Sequence, residues 1–206
     1  MSASPDPTAQ EHPVNDSPLR PTAVTITLLA VLYAAGSAVT GWEPGLGWLL
    51  QAVIHAGELL AVLALALSGA AGPGRAARAG LAAAVFGQAV LVAAETIYPR
   101  MEDLGDTLFA VGPLLTGAGL VAAGVAVVRA GRWHGWQRFT PLAVGAYVFV
   151  VLIPVLIGSG GPPSPAALWS IAGWDLLWML VAVSALSAAE RTTPVHAITT
   201  PARSTS

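Results

Sequence analysis

Six runs of nearly continuous apolar residues alternate along the chain with short polar connections, at 22–40, 46–68, 78–98, 107–128, 139–157 and 165–188. At about 1.5 Å of rise per residue, a helix of about 20 residues crosses a hydrocarbon core of about 30 Å. The strict apolar–polar alternation of outer-membrane strands is absent. The pattern therefore predicts an all-α, polytopic transmembrane bundle of six helices over 22–188. Polar tails flank it at 1–21 and 189–206. Both are rich in Pro, Ser and Thr and poor in large apolar residues, so they are expected to be disordered. A secretory signal with a small-residue cleavage site at 34–38 is the competing reading of the first run. The region before it is long and acidic, and five more runs follow, so the first run reads as an uncleaved span.

Composition excludes the soluble alternative. Hydrophobic residues make up 55% of the chain and charged residues 10%, against about 25% charged in an ordinary soluble domain. A soluble helical domain could not cover its surface with so few charges. The net charge of −2 argues against a nucleic-acid partner, which requires a basic face. Cysteine is absent, which removes disulfides, thiolate metal sites and cysteine nucleophiles.

All nine basic residues are arginines, and their placement is lopsided. Arg20, Arg75, Arg78, Arg129, Arg132, Arg138, Arg191 and Arg203 fall in connections or tails on one side of a six-span chain. Arg100 alone falls on the other, beside Glu102, Asp103 and Asp106. The positive-inside bias then predicts a multi-pass protein of the cytoplasmic membrane with both termini inside. Trp42, Trp48, Trp133, Trp136 and Trp169 sit near the ends of the runs, where indoles anchor at the headgroups.

Small residues suggest where helices approach closely. The fourth run carries Gly112, Gly117, Gly119 and Gly124, with Ala118 and Ala122 between them. In a bilayer such positions allow close backbone contact, so this span is expected either at the centre of the bundle or at the seam of a homo-oligomer. Ala83 and Gly87 make the same provision in the third span. Residues 54–63 and 171–180 also align at a constant offset of 117, pairing Glu58 with Asp175, which admits a duplicated hairpin.

Polar groups at depth are the candidates for chemistry. Glu58 and Asp175 fall near the midplane of the second and sixth spans. Gln51, His55 and Glu58, spaced four and three apart, share one helical face. Gln88 lies mid-span in the third run, and Glu95 lies seven residues on, near the outer boundary. An ionised carboxylate against lipid costs at least about 2.5–3.5 kcal/mol, so these groups are expected to converge on an interior, outward-open cavity. Trp174 and Trp178 flank Asp175 at depth. They either hold a lipophilic cation beside the carboxylate or pack against glycines of the fourth span.

Other chemistries find less support. His12, His134 and His196 lie in tails or a loop, leaving His55 the single histidine at depth, so bis-histidine haem within one chain is excluded. Di-iron bundles carry two Glu-x-x-His motifs, and here there is one His-x-x-Glu in reverse order. Neither a Gly-x-Ser-x-Gly elbow nor His-Glu-x-x-His is present. No enzymatic activity, cofactor or metal is therefore expected.

The stretch GRWHGWQRFTPLAVGAYVFVVLIPVLI, followed by GGPPSPAALWSIAGWDLLWML, resembles small, functionally uncharacterised six-span membrane proteins of actinobacteria. That resemblance covers the last two spans best. It implies the membrane class and no reaction, cofactor or partner. Two functions fit the whole: binding or transport of a small solute or proton through the midplane acids, or a non-transporting interaction or regulatory subunit whose acids are structural.

Overall fold

The structure, a computed structural model, describes residues 18–41 and 44–192. The expected tails at 1–17 and 193–206, and Trp42, lie outside the described residues. Six helices long and apolar enough to cross a membrane are present, and the described residues contain no strand. They are α1 (Leu19–Thr40), α2 (Gly47–Leu67), α3 (Arg75–Ile97), α4 (Glu102–Ala130), α5 (Gln137–Ser159) and α6 (Pro165–Thr192).

The helices outlast the apolar runs because polar residues extend them at the ends. α1 begins at Leu19, inside the stretch expected to be tail, and α6 continues to Thr192. α4 reaches back to Glu102, and its first turn holds Glu102 and Asp103 while its last holds Arg129. Those charges complement the helix dipole, positive at the N-terminus and negative at the C-terminus. α1 and α4 end on Gly41 and Gly131 with φ of 65° and 64°, a left-handed C-cap that side-chain-bearing residues adopt at a cost.

α5 is irregular. A 3₁₀ turn at Gln137–Phe139 leads into α-helix at Thr140–Tyr147, a π turn at Val148–Leu152, and α-helix again from Ile153. Pro154 has no N–H for the carbonyl one turn back, and a wider turn at that point relieves the clash its ring would cause.

Packing follows the small residues. α3 and α4 share the most extensive interface, and α4 also packs on α5. A Cβ on Gly119 would lie 2.5 Å from the Gly80 carbonyl oxygen, and one on Gly124 would lie 2.5 Å from the Leu142 nitrogen. The glycines of α4 thus face α3 on one side and α5 on the other, occupied within a single chain. The remaining helices close the bundle. α2 packs on α3 and α6, α5 packs on α6, and α1 lies along α6 and α2. The extensive α1–α6 contact has no counterpart of similar extent between α5 and α2. A duplicated pair of hairpins would relate the two, so the packing does not carry that symmetry.

Large apolar side chains face outward on several helices, among them Leu32, Phe86, Val150 and Ile157. Such a surface suits acyl chains and would be a liability in water. At one end, the Arg132 guanidinium donates to the Gly69 carbonyl at 2.8 Å, tying the α2–α3 and α4–α5 connections together. Trp133 differs from expectation. It is only 3% exposed and belongs to the core, whereas Trp136 and Trp169 are exposed as a headgroup belt requires.

Candidate functional site

Glu58 is the centre of the site. Its helix, α2, is apolar on nearly every side, and Gly57 beside it lets α1 approach closely enough to touch Ile26. Glu58 is consequently wholly buried. His55 lies one turn away on the same face, and its Nδ1 is 2.8 Å from Glu58 Oε2, within hydrogen-bond distance. The other ring nitrogen, Nε2, lies 3.7 Å from Glu95 Oε1 on α3. Asp175, buried on α6, faces both Glu58 and His55. Three helices therefore bring three carboxyls to one imidazole.

Trp174 closes one side of this cluster. Its ring centroid is 6.3 Å from that of His55, tilted by 55°, and it meets Trp178 edge-to-face at 6.1 Å. Both indoles are buried. Edge-to-face geometry is the favoured arrangement of paired aromatic rings. The glycines of α4 contact α3 and α5 instead of these indoles, so the expectation that Trp174 and Trp178 fill against them is corrected. With His55 on one side and Trp178 on the other, Trp174 is already occupied.

Two predicted members stand apart. Gln51, a further turn toward the Arg100 end, lines a small cavity of about 50 Å³ with Tyr33, Ser37, Pro162, Leu168 and Ile171. Gln88 is wholly buried on α3, and neither atom of its amide has a hydrogen-bond partner. It sits seven residues, about 10 Å of helix rise, deeper than Glu95. The structure thus unites His55, Glu58, Glu95, Asp175, Trp174 and Trp178, places Gln51 in a neighbouring small cavity, and leaves Gln88 deeper on α3.

Several other buried polar atoms also lack partners, among them Ser37 Oγ, Thr116 Oγ1 and the indole nitrogens of Trp174 and Trp178. Ser37 and Thr116 escape sequence reading because hydroxyls are common in membrane helices, where they usually bond the carbonyl one turn back, as Thr27 does to Ala23. Among the described residues no group of three His, Asp or Glu side chains is placed to hold a metal ion.

The carboxyls outnumber the imidazole three to one. If all were ionised with His55 protonated, the cluster would carry two net negative charges in a low-dielectric interior, which is costly. Protons are the smallest species that neutralise it. No protein family, curated protein or solved structure matches the chain.

Proposed function

We propose that this protein is a non-enzymatic, multi-pass component of the cytoplasmic membrane, with its arginine-rich end and both termini inside, that binds and exchanges protons through Glu95, His55, Glu58 and Asp175. The observation that carries this reading is the His55 ring held between Glu58 at 2.8 Å and Glu95 at 3.7 Å. An imidazole with a carboxylate on each nitrogen can take a proton at one and release it at the other.

Packing around the acids disfavours a larger cargo: Glu58 and Asp175 are buried, and Trp174 is engaged by His55 and Trp178. The neighbouring cavity lined by Gln51, about 50 Å³, is below the roughly 300–1,000 Å³ typical of organic ligand sites. The rival reading, a membrane subunit whose acids only hold helices together, is favoured by the same ring joining α2 to α3. It does not require the facing carboxyls of Glu58 and Asp175 to exchange protons, and the proton-exchange reading does.

Proton flux in proteoliposomes under an imposed pH gradient tests the two. Loss of flux in Glu58→Gln and in Asp175→Asn, with folding retained, supports proton exchange. Unchanged proton behaviour together with a lowered melting temperature supports the structural subunit.

A further inference from the structure

The small cavity above the cluster is polar where it need not be. Ser37 is 4% exposed, and its hydroxyl has no partner in the protein. The Gln51 amide and Tyr33 also line the space, while Leu168 and Ile171 close it. A buried water needs about 10–30 Å³ and two to four polar partners; a cavity of about 50 Å³ lined by a hydroxyl, an amide and a phenol meets both requirements.

Its position is the second observation. Gln51 is four residues from His55 on α2, and Ile171 is four residues from Asp175 on α6. Two walls of the cavity therefore descend, within about 6 Å of helix rise, onto two members of the cluster. In the opposite direction α2 and α6 offer Ala61, Val62, Leu65, Trp178 and Val181, all fully buried. Trp178 Nε1 is the one polar side-chain atom among those five, and the buried Ser184 hydroxyl beyond them is already bonded to the Leu180 carbonyl.

We infer that this cavity holds ordered water and is the route by which His55 exchanges its proton with the Arg100 end of the bundle, the arginine-rich end being sealed in this conformation. The use of the route rests on the proton-exchange reading; the water site itself does not. The ionisable groups around His55 are Glu58 on its own helix, Glu95 on α3 and Asp175 on α6. Tyr33 on α1 stands at the cavity.

The test is millisecond hydroxyl-radical labelling of the full chain in lipid nanodiscs, read by mass spectrometry. Tyr33 and Leu168 line the cavity but are half-buried, so the part of their labelling that Ser37→Val or Gln51→Leu removes is the cavity's; the buried Leu65 and Leu120 serve as dry controls. Labelling of Tyr33 and Leu168 but not of the controls, lost in Ser37→Val and kept in Ser37→Thr, is the expected result. Gln51→Leu provides the same loss should Ser37→Val fold poorly. Wild-type labelling absent at both reporters, or undiminished in Ser37→Val and Gln51→Leu, overturns the water site. Cavity labelling without pH-driven flux keeps the water site and removes the proton function. Flux without labelling removes the route and leaves the function standing.

Discussion

His55 Nε2 lies 3.7 Å from Glu95 Oε1, joining the polar face of α2 to α3 where both side chains are slightly open, at 12% and 14% exposure. A pair this far apart, on partly open side chains, is worth at most about 1 kcal/mol. In a chain of this size, 1 kcal/mol moves the melting midpoint by about 2–4 °C. Glu95→Gln should therefore melt within a few degrees of the wild type while reducing proton flux, because the carboxylate beside His55 Nε2 is gone. Thermal unfolding in detergent and flux in liposomes are read on the same preparation. A drop well beyond that range with unchanged flux would show that Glu95 serves to hold α3.

Gln88 calls for the opposite expectation from the other polar residues at depth. Its amide is wholly buried, and neither its oxygen nor its nitrogen has a partner. An unsatisfied buried polar group costs about 1–3 kcal/mol, and replacing it with an apolar side chain of similar shape removes that cost. Gln88→Leu should raise the melting temperature by several degrees and leave proton exchange at His55 intact. Reduced flux or a lowered melting temperature in this variant would place Gln88 in the working site after all.

The six helices were readable because membrane spans announce themselves by length and lack of charge. The convergence of Glu58, Asp175, His55 and Glu95 was readable for a related reason: carboxyls at depth have few places to go. Other features depend on tertiary contacts that periodicity does not encode. Gln88 looks as functional as Gln51 on a linear chain, yet Gln51 lines the small cavity and Gln88 is not among its lining residues. Trp133 has the sequence position of a belt residue, but it packs into the core. The glycines of α4 signalled close approach without saying to what; their neighbours turned out to be Gly80, Ala84 and Leu142. The extension of α4 to Glu102 was hidden because hydropathy falls where dipole-complementing acids take over.

Two glycines of similar helical context should respond differently to the same substitution. Gly119 faces backbone, its added Cβ lying 2.5 Å from the Gly80 oxygen and 2.6 Å from the Ala84 nitrogen. Backbone atoms of a packed helix cannot step aside, so Gly119→Ala must push α3 from α4, at the roughly 1–3 kcal/mol typical of overpacking. Gly36 on α1 has nothing within 4 Å of its added Cβ. There Ala gains about 0.5–1 kcal/mol of helix propensity. Circular dichroism melts of the two variants should move in opposite directions, and equal shifts would mean that α3 and α4 are not in backbone contact.

Tyr98, just beyond the end of α3, gives a pH signature outside the spans. Glu102 and then Asp106 raise its phenol above the ordinary value of 10.0, because a phenolate beside two carboxylates is repelled. The folded chain therefore holds that proton to higher pH than the unfolded chain does. Below pH 10 both states carry the proton, and the contribution to stability is constant. As pH climbs past 10 toward the folded value, the unfolded state loses its proton first, so stability falls with rising pH. Tyr98→Phe should remove that part of the alkaline decline, and Glu102→Gln should weaken it by relieving the largest repulsion. The difference in phenolate absorbance between wild type and Tyr98→Phe, followed through alkaline titration, isolates this group from Tyr33 and Tyr147. A Tyr98 titration at its ordinary value would mean that the start of α4 does not bring Glu102 beside it.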